Sequence, residues 1–277
     1  MVTDHAGRQV DVPENPIRVV SLAPSITEIV FAVDRGDRLV GVTEYSNYPQ
    51  NAREIPSVGS YVYLDLEKIF SLEPDLCIAI KDGNPIGVIR RLQELDIPVF
   101  AVNPRDLESV MTSLSDIGAL LGTKKKADEV VADMKTRIKR VRQKVDEISR
   151  RPGVFFQIGI SPIVSAGTDT FIHELIVEAG GRNLAADNTG YPRYTTEEVL
   201  ALAPEIIVVT SMARAQMFDK VLKKYQKWED LPAVAHNRIY LVNSDLVDRP
   251  SPRLVKGLEK LTRLIHPELF EADSESN

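Results

Sequence analysis

The sequence of 277 residues holds one cysteine and one tryptophan, and only 6% of its residues are aromatic. The lone Cys77 excludes an intramolecular disulfide, and its place in Leu76-Cys77-Ile78-Ala79-Ile80 reads as a buried strand where it serves as a small core residue. No run of about 18 apolar residues occurs, so no membrane-spanning helix is expected. Excess positive charge is missing too: 34 basic against 40 acidic residues leave a formal charge of -6. A nucleic-acid partner, which needs a basic footprint, is therefore excluded. With 15 glycines and 17 prolines, collagenous and low-complexity classes drop out. Met1-Val2-Thr3-Asp4 runs into polar sequence with no leader, so the chain reads as cytosolic or as an exported protein whose leader has been removed.

Catalytic signatures are absent as well. There is no phosphate-binding G-x-x-x-x-G-K-[ST], no G-x-G-x-x-G and no G-x-S-x-G nucleophile elbow. His5, His173, His236 and His266 lack metal-ligand spacing, and His173-Glu174 lacks the second histidine of a zinc-protease helix. The sequence reading is thus no enzyme, no resident cofactor and no metal site, with an α/β enzyme as the rival from another class and a cytosolic ligand-sensing domain as a third.

What is present is a hydrophobic fraction of 43% and a chain nearly twice the length of one average domain. Area scaling lets such a chain bury about three quarters of its surface without disulfides. Short apolar runs at 17–22, 39–43, 75–80 and 99–102 alternate with helical stretches, which predicts a parallel sheet covered by helices. The same alternation returns after residue 152, with strands at 154–158, 206–210 and 239–242. Between the halves, Ala127, Val131, Met134, Ile138, Val141, Val145 and Ile148 recur every three or four residues. That stripe predicts one amphipathic helix over 124–151, about 40 Å long and stopped at Pro152-Gly153.

One stretch occurs twice. Leu66-Glu67-Lys68-Ile69-Phe70-Ser71-Leu72-Glu73-Pro74-Asp75-Leu76-Cys77-Ile78 aligns without a gap on Thr196-Glu197-Glu198-Val199-Leu200-Ala201-Leu202-Ala203-Pro204-Glu205-Ile206-Ile207-Val208, at a constant offset of 130. A duplicated helix, proline, acid and strand argue for two halves of one architecture. Glu67 and Glu197 fall in equivalent first helical turns, where the macrodipole alone favours an acid. As a pair they also suit docking to a two-fold symmetric basic partner.

Other residues carry two readings. Ser25-Ile26-Thr27-Glu28 has the capping-box pattern, and Ser251-Pro252 reads as the start of the last helix. Tyr45, Tyr48, Tyr61 and Tyr63 crowd loops of the first half, and Tyr191 and Tyr194 flank Pro192-Arg193. Tyrosines at the open edge of a parallel sheet suit a large planar ligand, or they simply cover loops. Asp245 and Arg249 read either as a salt bridge at the start of a helix or as ligand contacts.

Taken together, Val19-Val20-Ser21-Leu22-Ala23-Pro24-Ser25-Ile26-Thr27-Glu28, Val42-Thr43-Glu44-Tyr45-Ser46-Asn47-Tyr48-Pro49, residues 59–67, Leu72-Glu73-Pro74-Asp75-Leu76, Gly180-Gly181-Arg182-Asn183 and Ser251-Pro252-Arg253 resemble the class III, or helical-backbone, substrate-binding proteins of ABC importers. The likeness runs from about Asp4 to Ile265 and is strongest to the cobalamin-binding members, with ferric siderophore and haem binders next. It implies two Rossmann-like α/β lobes, 1–122 and 152–277, joined by one long backbone helix within 123–151, with ligand in the cleft between lobes. It also implies an extracytoplasmic monomer that hands cobalamin, or a siderophore or haem, to a permease dimer with ATPase subunits. On this likeness Glu67 and Glu197 dock the permease, Tyr45, Tyr61 and Tyr191 are cleft aromatics with Tyr63 beside them, and Asp245 and Arg249 are charged cleft residues. Tyr61 and Tyr191 stand where cobalamin binders carry tryptophan, and Val164 stands where they carry phenylalanine.

Overall fold

The apolar runs of the sequence become strands, and the computed structural model describes residues 1–210 and 215–271. By packing, the chain divides into two units, Met1–Met134 with Pro250–Pro252, and Lys135–Arg249 with the chain from Arg253 onward.

In the first unit a small hairpin, β1 (Val2–Thr3) and β2 (Gln9–Val10), precedes β3 (Val19–Ser21), α1 (Pro24–Ala32), β4 (Leu39–Gly41), α2 (Leu66–Ser71), β5 (Leu76–Ile80), α3 (Ile86–Glu94), β6 (Val99–Val102) and α4 (Leu107–Leu120). The order β4-β3-β5-β6 makes an all-parallel sheet. Strands covered on both faces read as unbroken apolar runs, and Leu76, Cys77 and Ile78 are fully buried. Burial pushes the Cys77 thiol far up, which leaves it the inert core residue expected.

Helix α5 (Lys124–Val145) begins in the first unit and ends in the second. It is 22 residues long rather than the 28 of the expected 124–151 stretch, or about 33 Å. Past Val145 the chain turns through looser bonds such as Glu147 N–H to Lys144 O and Ile148 N–H to Val145 O. Asp146 and Glu147 sit at the negative end of the helix macrodipole, and Arg151 precedes a proline that disfavours helical backbone.

The second unit continues with β7 (Gly153–Ile160), β8 (Ile163–Ser165), α6 (Phe171–Glu178), β9 (Arg182–Asn183), β10 (Arg193–Tyr194), α7 (Thr196–Ala201), β11 (Ile206–Thr210), α8 (Ala215–Tyr225), α9 (Pro232–Ala235), β12 (Ile239–Val242), α10 (Ser244–Val247), α11 (Leu254–Ile265) and α12 (Glu268–Glu271). Its sheet runs β10-β8-β7-β11-β12, with β9 parallel to the start of β7. β7, β11 and β12 are parallel, whereas β8 and β10 are antiparallel additions too short to show a periodicity in the sequence. The core centres on Phe155, Val199, Ile207, Val209 and Tyr225.

The internal repeat is realised element by element. α2 and α7, and β5 and β11, start and end at positions that differ by 130. Glu73 and Ala203 both take the left-handed backbone, at φ 46° and 45°, just before their prolines. The acid after each proline then grips the neighbouring strand. Asp75 accepts from the N–H groups of Ile17 and Arg18 (2.7 and 3.1 Å), and Glu205 accepts from Gly153 N–H (2.8 Å).

Two expected caps are not formed. α1 starts at Pro24 with Ala23 as its N-cap, so Ser25 lies inside the helix and caps nothing. α11 starts at Leu254 with Arg253 at its N-cap, so Ser251 does not cap it either. Instead the Ser251 hydroxyl donates to the buried Glu28 carboxylate at 2.6 Å. In α1 proline takes its preferred first helical position, so Pro24 moves the helix start ahead of Ser25, whereas Ser251 lies before α11 and is engaged by Glu28.

Candidate functional site

In the first unit the candidate residues emerge from carboxyl ends of parallel strands, the edge at which open α/β sheets bind ligands. β4 leads into a segment that is stitched to the one after Pro56: Val58 N–H donates to Val42 O (2.8 Å) and Glu44 N–H to Gly59 O (2.9 Å). Gly59, at φ 93°, permits the sharp turn, since a Cβ there would strike the Tyr63 carbonyl. This stitching presents Tyr45 from one segment and Tyr61 and Tyr63 from the other. Tyr63 is 83% exposed, Tyr45 43% and Tyr61 36%, with Tyr48 and Val62 also exposed. A hydrogen bond from the Tyr45 phenol to the Glu44 carboxylate raises its pKa, and the Glu44 charge, slight desolvation and Tyr61 push the same way. Tyr45 therefore stays neutral and offers a flat face.

Beneath Tyr45 runs a chain of buried hydroxyls that sequence reasoning missed. Thr27 Oγ1 lies 2.8 Å from Ser21 Oγ and 2.9 Å from Ser46 Oγ, which in turn is 3.0 Å from Thr43 Oγ1. A fully satisfied buried polar network of this kind fixes one backbone course, here that of the segment carrying Tyr45. Four small hydroxyl residues scattered over 26 positions give no local pattern to find.

In the second unit Val164 lies in β8, opposite Arg193 of β10. Tyr191 precedes β10 in a segment held by Ser165 N–H to Pro192 O (3.0 Å) and Gly167 N–H to Gly190 O (2.8 Å), and it is 53% exposed. The Gly180-Gly181-Arg182-Asn183 stretch proves structural. Asn183 donates to Ala166 O and accepts from Ala185 N–H, while lying 3.0 Å from His173 Nδ1. Asp245 and Arg249 do form the ion pair, at 2.7 Å, with Arg249 buried. Asn243 fixes α10 by accepting from Asp245 N–H (2.9 Å).

One neighbour was missed. Asp248 sits three residues past Asp245, and its Oδ1 accepts from Thr210 Oγ1 at 3.3 Å, at the carboxyl end of β11. Burial is the main cause that pushes its pKa up to about 7; the Thr210 bond opposes it, Asp245 reinforces it and Arg249 opposes it. The spacing Asp245, Asp248, Arg249 was the available signal, since steps of three and four residues around the end of α10 bring two carboxylates and one guanidinium together.

Glu67 and Glu197 are exposed in the first turns of α2 and α7. Their helices are capped by other side chains. Asp65 accepts from Lys68 N–H, and Thr195 and Glu198 form a reciprocal capping box. Among the described residues neither Glu67 nor Glu197 has a hydrogen bond or ion pair. Phe70, one turn on from Glu67, is 54% exposed. Among the described residues no three His, Cys, Asp or Glu side chains are grouped to hold a metal, and no helix is long and apolar enough to cross a membrane.

Comparison with known proteins gives these features a context. A family model described as periplasmic binding protein matches residues 19–246. The chain is 35% identical over 276 residues to the uncharacterized ABC transporter substrate-binding lipoprotein YvrC of Bacillus subtilis, covering 98% of this chain and 86% of that one. Among solved structures it is similar to the periplasmic vitamin B12 binding protein BtuF of Vibrio cholerae, with a TM-score of 0.81 and 27% identity over 94% of this chain and all of that one. It is likewise similar to a periplasmic heme binding protein from Pseudomonas aeruginosa, with a TM-score of 0.84 and 28% identity over 91% of this chain and 93% of that one.

Proposed function

The chain belongs to the periplasmic binding protein family, among the substrate-binding proteins of ABC transporters, and on that premise we propose that it captures a corrinoid, cobalamin foremost, outside the cytoplasm and delivers it to a membrane permease. The observation that carries the ligand class is the pair of exposed ring faces, Tyr45 and Tyr61, at the carboxyl edge of the first unit's parallel sheet. Flat aromatic surface with polar tips suits a large macrocycle fringed with amides. Similarity to a vitamin B12 binding protein supports the same choice. Tyr63, Val164 and Tyr191 add apolar surface, and Asp245 with Arg249 offers hydrogen-bonding groups held in place by their own ion pair.

Haem or a ferric siderophore is the second reading, favoured by the phenol groups themselves: tyrosine oxygen is an iron ligand that tryptophan cannot supply. The transported chelate is cargo in either case, and no resident cofactor takes part. Glu67 and Glu197 are assigned to docking, one on each unit, and the chain acts as a monomer.

Titration of the purified protein with cyanocobalamin, haem and a panel of ferric siderophores, read by calorimetry and visible absorbance, tests the ligand. Stoichiometric cobalamin binding supports the first reading, haem or siderophore binding alone replaces it with the second, and chemical turnover of the ligand overturns both. Once the ligand is fixed, Tyr61→Ala and Tyr191→Ala are each expected to weaken binding by about 1 to 3 kcal/mol. Unchanged calorimetric affinity in either variant removes that ring from the site.

A further inference from the structure

At the carboxyl edge of the first sheet the ladder between β3 and β5 ends, and three backbone groups lie outside it: Ile80 N–H, Leu22 C=O and Tyr61 C=O. One side chain serves all three. Asn84 Oδ1 accepts from Ile80 N–H at 2.7 Å, and Asn84 Nδ2 donates to Leu22 O and to Tyr61 O, each at 2.8 Å. Asn84 is buried, at 7% exposure, and its own N–H closes a turn onto Ile80 O at 3.0 Å. The amide uses one acceptor and both donors, so its orientation is fixed by the network and no isosteric carboxylate could replace it.

The bond to Tyr61 O is the only hydrogen bond Tyr61 makes among the described residues. Around it the segment is tied elsewhere, through Tyr63 N–H to Ser60 Oγ and Asp65 N–H to Val58 O. The turn that carries Asn84 also lies along the ring: a Cβ built on Gly83 would lie 4.0 Å from Tyr61 Cδ2. The Tyr61 backbone is therefore held from the turn at residues 80–84, and that turn passes near its ring.

We propose that Asn84 is the positioning residue for ligand recognition in the first unit, presetting Tyr61 so that its ring face meets a flat chelate without first being ordered. The inference rests on the reading that Tyr61 touches the ligand. Holding a contact residue in its bound place removes part of the ordering cost from each binding event.

Two measurements test it. With 3-fluorotyrosine incorporated and the Tyr61 signal assigned by its loss in Tyr61→Phe, Asn84→Ser is expected to shift or broaden the fluorine resonance of Tyr61 in the ligand-free protein and leave that of Tyr191 in place. An unmoved Tyr61 signal overturns the proposal, whatever the ligand. A double-mutant cycle with cyanocobalamin, or with haem where haem is the ligand bound, then reads the consequence. Asn84→Ser should weaken binding about tenfold alone but no more than about twofold in the Tyr61→Ala background, while lowering Tm equally in both. Equal weakening in both backgrounds overturns the positioning role while Tyr61 remains a contact. A Tyr61→Ala variant of unchanged affinity overturns the reading of Tyr61 as a contact, and the proposal with it. Serine keeps a donor and an acceptor at this position, which makes it a milder change than alanine where folding is at stake.

Discussion

Protein in which Glu67 and Glu197 are both replaced by alanine is expected to bind its ligand within about twofold of the unaltered chain, because exposed side chains without partners among the described residues contribute little to the fold. If the two acids dock the permease as proposed, delivery into proteoliposomes carrying the permease and ATPase subunits is expected to fall by about 100-fold or more, since each truncation would then leave a cation of the partner without its counter-charge, at about 2 kcal/mol or more apiece. Both carboxylates are exposed, and their helices are capped by Asp65 and by Thr195 with Glu198, so neither is spent on local structure. Delivery by the unaltered protein should weaken with rising salt as charge attraction is screened, and the double variant should lose that dependence. Reduced ligand affinity with delivery intact would reverse the assignment of these two residues.

Asn in place of Asp248 is expected to stabilise the protein most at pH 8, less at pH 5, and to leave it nearly unchanged only below about pH 4. The folded-state value of about 7 lies above the ordinary carboxyl value of 3.8. Between those two values the folded chain holds a proton that the unfolded chain has released. Stability from this group is thus full below about pH 4, falls as pH rises toward 7, and above 7 the fold carries a largely desolvated carboxylate. The difference between 7 and 3.8 bounds the effect at on the order of 4 kcal/mol. Asparagine keeps an oxygen for the Thr210 hydroxyl and has no charge to desolvate. Urea unfolding of both proteins at pH 3.5, 5, 6, 7 and 8 reads the group as the difference between the two curves. Parallel stability curves would show that Asp248 titrates alike in both states.

The sequence announced those features whose cause is local. Leu76-Cys77-Ile78 reads as a doubly covered strand because each residue is apolar, and the repeat at an offset of 130 is visible because helix, proline, acid and strand follow one another within 13 residues. Features set by distant partners stayed hidden. Glu28 and Ser251 are 223 positions apart, and each sits in a local pattern that offers a satisfying but incorrect cap. The Asn84 amide reaches back to Leu22 and Tyr61 across 62 and 23 positions, and no spacing rule joins them. Tyr45, Tyr61, Asp245 and Arg249 could be singled out by residue type, whereas the hydroxyl chain under Tyr45 and the Thr210 partner of Asp248 depend on strand order.

The hydrogen bond between Ser251 and Glu28 also determines how the molecule can be taken apart. Pro250–Pro252 packs with the first unit although the chain on both sides of it belongs to the second. A fragment that stops at Met134 therefore carries the buried Glu28 but not the hydroxyl that serves it, so the first unit is not a contiguous piece of the gene. A fragment that begins at Lys135 has the converse fault, because it drags along three residues whose seat has been removed. Neither half is a separable cassette: transplanting one into another scaffold would require the tripeptide to travel with residues 1–134, as a graft or in a circularly permuted chain.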